Sequence, residues 1–314
     1  MKYWLYRLKW HLAKYITWEY PLHVDFELST HCNLSCSFCP HSEHIQDFKK
    51  GFMDFDRYKQ IIDEIAGKVP SIKFNLRGES TLHPDFDLFL KYAHKKFIDI
   101  RINTNGQYRN KAVSLWMAQY CTDISFSVDA FYKDTYKEKR GGDFQLLENN
   151  ILDTIRMVGG YQHRAKLTLS YVYTSSHEYV EIAKFRMLWV ARYHKVKFNI
   201  RAAMDRVTLK EQITKKGKIK KLGDKVTVGR KDCLMPRRRL VVTHDFKVGY
   251  CCLLWHKPSY LPFSIDSKEV KLLDYWNHPS LLCIRDNLKF LRFDVLPKMC
   301  KNCDSSESYK WSNL

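Results

Sequence analysis

The 314-residue chain lacks any apolar run long enough to cross a membrane, because charged residues interrupt every candidate segment. A secretory leader is not expected either. The N-terminal MKYWLYRLKWHLAKY is basic and aromatic, with no continuous apolar stretch and no small-residue cleavage site. No internal repeat divides the chain, and acids are scarce: 34 Asp and Glu face 53 Lys and Arg, a formal charge of +19. These absences point to a cytoplasmic chain without a transmembrane segment. Hydrophobic residues at 45% and aromatics at 14% exclude a disordered one. A chain this long can bury a large core, as one big domain or two unequal ones.

Charge and cysteine are unevenly spread. Between Arg206 and Arg239 there are thirteen Lys or Arg against three acids, a net of +10. Such a block is a ready phosphate-binding surface, with Arg237, Arg238 and Arg239 as candidate contacts, and it is equally what a solvated linker looks like. The ten cysteines cluster as Cys32, Cys36 and Cys39 near the start and Cys233, Cys251, Cys252, Cys283, Cys300 and Cys303 near the end, with Cys121 between. Without a leader a disulfide framework is not expected, so clustered thiols point to metal or iron–sulfur ligation. Cys121 and Cys283 read as buried thiols.

Trp4, Leu5, Leu8, Leu12 and Tyr15 fall near helical spacing. They mark a helix that packs on its own domain, the favoured reading, or lies on a membrane surface. From residue 22 to about 205, six β-rich runs at 23–28, 72–76, 98–103, 123–128, 166–173 and 196–200 alternate with helical patterns. That alternation argues for a parallel α/β sheet with functional loops at the C-terminal strand ends. The expected division is 1–21 as the N-terminal helix, 22–205 as the sheet domain, 206–230 as a basic linker and 231–314 as a small metal-dependent domain.

The decisive segment follows the first strand: His31-Cys32-Asn33-Leu34-Ser35-Cys36-Ser37-Phe38-Cys39-Pro40. Three cysteines in C-x3-C-x2-C spacing can hold three irons of a 4Fe–4S cube, and with no fourth cysteine near, one iron stays open. A three-Cys zinc site or an incomplete ferredoxin loop is the alternative.

With this motif the chain resembles radical SAM enzymes, over about residues 22–305. The resemblance implies a partial (β/α)6 barrel and an open iron that chelates S-adenosylmethionine (SAM). Reductive cleavage then gives a 5′-deoxyadenosyl radical, with the electron coming from a reducing partner such as flavodoxin or ferredoxin. Arg77-Gly78-Glu79-Ser80 is similar to the second-strand motif Gly-Gly-Glu-Pro, with Arg and Ser replacing Gly and Pro. Gly78 would let backbone approach the ligand, and Glu79 would accept from the methionine ammonium. Asn103-Thr104-Asn105-Gly106 and Ser127-Val128-Asp129-Ala130 resemble the next two strand-end motifs. The implied cofactor contacts are Phe38, Gly78, Glu79, Asn103, Asn105, Ser127 and Asp129.

Cys300-x2-Cys303 with Cys233 and Cys251 reads by itself as structural zinc. The run from Val242 to Cys252 instead resembles the auxiliary-cluster domain of the SPASM and twitch group, which implies a second 4Fe–4S cluster on Cys233, Cys251, Cys300 and Cys303. Three substrate readings follow. The basic block favours slightly a polyanion such as a nucleic acid; the SPASM likeness favours a peptide or protein, although no separate peptide-clasping domain is visible before the expected barrel, which counts mildly against it. A non-catalytic iron–sulfur protein is the third. The reaction after radical formation is not encoded legibly, and Tyr171, Tyr173 and Cys252 are candidate acid, base or hydrogen donors from position alone.

Overall fold

The computed structural model describes residues 3–39, 49–160, 165–173, 178–192, 196–202, 211–213, 219–221, 233–251, 263–264, 271–297 and 300. Six parallel strands form its centre: β1 (His23–Phe26), β2 (Ser71–Phe74), β3 (Asp99–Thr104), β4 (Asp123–Ser127), β5 (Lys166–Tyr173) and β6 (Val196–Ala202). They lie in chain order, and helices connect them, as parallel neighbours require. The helices are α2 (Phe55–Ile65), α3 (Phe86–Lys95), α4 (Ala112–Tyr120), α5 (Lys133–Arg140), α6 (Phe144–Gly160) and α7 (Tyr179–Arg192), after an N-terminal α1 (Tyr3–Leu12). The Asp54 carboxylate caps α2, accepting from Arg57 N at 2.8 Å.

Strand alternation separates two faces. Ile100 and Ile102, Ile124 and Phe126, and Leu167, Leu169 and Tyr171 are buried and share one core with the helices. Tyr58 of α2 packs its ring on Phe26 at 5.2 Å and on Phe74 at 6.2 Å, which fixes that face as the outer one. The intervening residues, among them Asn103, Ser125, Ser127, Thr168 and Ser170, are only half-buried and line the concave face of the partial barrel.

The C-terminal strands extend this same sheet. β9 (Arg239–Val242) pairs in parallel with β1, and β10 (Lys247–Gly249) and β11 (Phe263–Ser264) follow antiparallel, giving the order β11-β10-β9-β1-β2-β3-β4-β5-β6. Within the expected basic linker, β7 (Glu211–Ile213) and β8 (Ile219–Lys221) pair as a separate antiparallel ribbon. Helices α8 (Leu272–Trp276) and α9 (Pro279–Lys289) complete the described chain. Glu64 of α2 accepts the first backbone N–H groups of α8, from Leu272 at 2.9 Å and Leu273 at 2.7 Å.

Helix α1 packs on its own domain, but through a different face from the one its spacing predicts. Tyr6, Trp10 and Ala13 are buried, while Trp4 and Leu8 are 62% and 46% exposed. The cause is a buried cationic layer beneath the helix. Arg101 lies 4.8 Å from the Tyr6 ring centre, and Arg238 and Arg239 lie 4.8 and 5.7 Å from that of Trp10.

Candidate active site

The cysteine loop leaves β1 and is held by other strand ends. Asn33 Nδ2 donates to Gln107 O at 2.7 Å, and Asn105 Nδ2 donates to Asn33 Oδ1 at 2.8 Å and reaches Cys32 Sγ at 3.8 Å. On the other side Ser37 N donates to Lys139 O at 2.9 Å, and Cys36 Sγ lies 4.0 Å from Arg140 O. Cys32, Cys36 and Cys39 are in the reduced, thiol form. Burial pushes the Cys32 thiol up to about 11 and raises Cys36 as well, each with a further upward push from a neighbouring thiol of the loop. Among the described residues no three His, Cys, Asp or Glu side chains gather around one point to hold a single ion. The donor set, three thiols on one loop, matches separate irons of one cube.

Gly78 serves a purpose different from the expected one. A Cβ there would lie 2.7 Å from His31 O and closer still to Ser29 O. The glycine therefore lets the second-strand turn rest on the backbone entering the cysteine loop, and Glu79 N donates to His31 O at 2.8 Å. The Glu79 carboxylate is buried. Thr81 Oγ1 and Thr104 Oγ1 donate to Oε1 at 2.8 and 2.9 Å, and Asn105 N donates to Oε2 at 2.7 Å. Burial raises its pKa, against the pull of these bonds. A fixed acceptor beside the cysteine loop can take an ammonium. Asn103 and Ser127 are half-buried on the concave face, and Phe38 is half-buried in the loop itself.

Asp129, at φ 60°, is fully buried. Its Oδ1 accepts from Val172 N at 2.6 Å, and its Oδ2 pairs with the guanidinium of Arg140. Arg140 was not legible in the sequence: α5 carries it to the cysteine loop, and no local motif marks it. Thr81 and Thr104 were missed for the same reason. Arg77, the departure from the usual glycine, forms a bidentate pair with Glu27 at 2.6 and 2.5 Å.

Three expectations are corrected. Arg237, Arg238 and Arg239 are only 4%, 7% and 7% exposed, and so do not form a phosphate-binding surface. Arg239 pairs with buried Asp25 at 2.8 Å, Arg237 donates to Arg285 O at 3.1 Å, and Arg238 lies under Trp10. Tyr171 and Tyr173 stand on the outer face of β5, where Tyr171 packs on Phe185 at 5.9 Å and under Lys139 at 4.9 Å. Cys283 is exposed where a buried thiol was expected, while Cys121 is buried.

The Tyr250 hydroxyl lies 3.4 Å from Cys300 Sγ, and Cys251 and Cys233 are near enough to act on it electrostatically. Burial raises the Tyr250 pKa, and all three thiols add to it. Cys252 and Cys303 lie outside the described residues.

Residues 26–185 match the family model of the Radical SAM superfamily. Among curated proteins, the tungsten-containing aldehyde ferredoxin oxidoreductase cofactor-modifying protein of Pyrococcus furiosus is 33% identical over 34% of this chain and 30% of its own length. Mycofactocin maturase MftC of Mycobacterium ulcerans is 27% identical over 44% of this chain and 37% of its own. The matched stretch thus spans about a third of these relatives. Among solved structures, Streptococcus suis SuiB bound to precursor peptide SuiA aligns with a TM-score of 0.61 at 15% identity, over 90% of this chain and 70% of that one. That likeness is one of fold. The family match covers half the chain and takes in the cysteine loop, Glu79 and Asp129 at the strand ends where the fold assembles them, so the chain belongs to the radical SAM superfamily.

Proposed function

We propose that this protein is a radical SAM enzyme that acts on a peptide or protein, in the manner of a SPASM-type maturase. Cys32, Cys36 and Cys39 would hold a 4Fe–4S cluster, which when bound supplies the electron for reductive cleavage of SAM. Glu79 would orient the methionine ammonium, and Asn103, Asn105, Ser127 and Asp129 would frame the rest of the cofactor. Cys233, Cys251, Cys300 and Cys303 would hold an auxiliary cluster, and a flavodoxin or ferredoxin would serve as reductant.

The observation that carries the substrate class is the burial of Arg237, Arg238 and Arg239. The charge argument for a polyanion drew on the block from Arg206 to Arg239 with those three arginines as its phosphate contacts, and the three are committed to Asp25, Trp10 and backbone carbonyls inside the protein. The peptide reading is further supported by relatives described as a maturase and as a bacteriocin biosynthesis protein.

The test uses anaerobically reconstituted protein with SAM and a low-potential reductant. Substrate-independent 5′-deoxyadenosine should form, and it should vanish in the variant Cys32→Ala, Cys36→Ala, Cys39→Ala. Deuterium from a labelled precursor peptide should enter the product 5′-deoxyadenosine. Salt-sensitive binding of DNA or RNA, together with deuterium transfer from a nucleotide and none from peptides, would overturn the peptide reading.

A further inference from the structure

Glu27 follows β1 on the way to the cysteine loop, and it is 1% exposed. A carboxylate that deep needs partners, and Glu27 draws them from two distant turns. From the second-strand turn, Arg77 donates through Nε to Oε1 at 2.6 Å, through Nη2 to Oε2 at 2.5 Å and through its backbone N to Oε1 at 3.2 Å. From the β9–β10 turn, the His244 backbone N donates to Oε2 at 3.2 Å, and His244 Nδ1 lies at the same distance. Burial alone would raise the Glu27 pKa, but hydrogen bonds from Arg77 and His244 outweigh it and hold the group below its ordinary value.

Each partner sits next to a piece of the machinery. Arg77 precedes Gly78 and Glu79 in a turn that starts at Leu76 with φ 129°. His244 belongs to the hairpin that leads through β10 to Tyr250 and Cys251, and its ring packs so closely on Gly51 that a Cβ there would lie 2.9 Å from Cδ2. A glycine at 77, the usual residue of this motif, would leave the Glu27 charge without its cationic partner. Arg77 and Glu27 therefore act as a pair.

We propose that Arg77, Glu27 and His244 are positioning residues that fix the Gly78–Glu79 turn for SAM and tie it to the hairpin bearing Cys251. The C-terminal cysteine site and the SAM site are thereby coupled through one buried carboxylate. The inference rests on the reading of Gly78–Glu79 as the SAM-binding turn.

The experiment measures SAM affinity by calorimetry on the reconstituted full-length protein, with iron content determined for every sample. His244→Ala, more than 200 residues from Glu27 in sequence, should weaken SAM binding about tenfold, the size of one hydrogen bond to a charged group. His244→Asn, which keeps a side-chain N–H donor, should recover most of that loss. Arg77→Lys keeps the charge but loses the planar fork, and it should raise the KM for SAM several-fold while leaving kcat for uncoupled cleavage near wild type. The change in the cluster's electron paramagnetic resonance signal on SAM addition should saturate at correspondingly higher SAM in both weakened variants. Unchanged affinity in both His244→Ala and Arg77→Lys would overturn the proposal. So would a loss that His244→Asn fails to rescue, since that assigns the effect to packing. If His244→Ala does not load iron, the Arg77→Lys and His244→Asn arms decide alone. A wild-type protein that binds no SAM would sink the reading of the turn itself and not the network.

Discussion

A glycine and a histidine carry two of the sharper consequences. Gly78 has no room for a methyl group, because the nearest atoms are backbone carbonyl groups of the β1 exit, which cannot swing aside. Gly78→Ala should cost about 2 kcal/mol or more of stability by overpacking, read from denaturant midpoints, and should weaken SAM binding in step. A variant with wild-type stability would show that the turn stands clear of the loop. For His23, burial depresses the pKa to about 4, with the hydrogen bond and charge of Asp25 pulling the other way. The unfolded chain takes up this proton near the ordinary value of 6.5, so the contribution is complete above that pH and is lost as pH falls toward 4. The full loss amounts to about 3 kcal/mol. His23→Gln should flatten this part of the stability profile. An unfolding free energy that falls equally steeply in the variant between pH 7 and pH 5 would assign the effect elsewhere.

Among the elements, α1 has two unlike faces. Its inner face places Trp10 over Arg238 and Arg239 and edge-on to His23 at 6.4 Å, closing the buried ionic layer around Asp25. Burial would raise the Asp25 pKa, but Arg239 and His23 outweigh it and keep the carboxylate ionised. Trp10→Ala should therefore destabilise the protein by about 3 kcal/mol and speed amide exchange along α1. Trp4→Ser, on the exposed face, should stay within about 0.5 kcal/mol of wild type. Equal effects of the two would mean that the helix does not cap the barrel. The helical period placed α1 correctly but chose the wrong side, since Trp4 and Leu8 are as apolar as Tyr6 and Trp10. The buried cations that select Tyr6 and Trp10 come from residues 101, 238 and 239, and no local window contains them.

At the scale of the whole molecule, the C-terminal strands and the barrel share one sheet through the β1–β9 pairing. Reversing Arg237, Arg238 and Arg239 to Glu would bury three carboxylates, one of them beside Asp25. The expected outcome is a protein that does not fold, visible in circular dichroism, in place of a soluble protein with altered ligand binding. A well-folded triple variant would contradict the burial. Anaerobic reconstitution should load about eight irons per chain, and the Cys32, Cys36, Cys39 triple variant should lose about half of them. About four irons with about one zinc would reassign the C-terminal site.

Much of this molecule is written locally. All six strands start and end within two residues of their expected bounds, because period-two burial and aliphatic content are properties of short windows. The cysteine loop is equally local, since chelation by one loop needs only spacing. Residues 77–79, 103–106 and 127–130 could be recognised as strand-end motifs for the same reason. What the sequence could not decide is which charges go inside. Arg237, Arg238 and Arg239 look like a solvent-facing run in one dimension, yet β9 lies against β1 and brings Arg239 to Asp25, 214 residues away. Glu27, Arg77 and His244 meet in the same manner, across three turns that only the sheet order makes neighbours. A charge is stable in the interior only beside its counter-charge, and that pairing across the chain is a property of the tertiary fold.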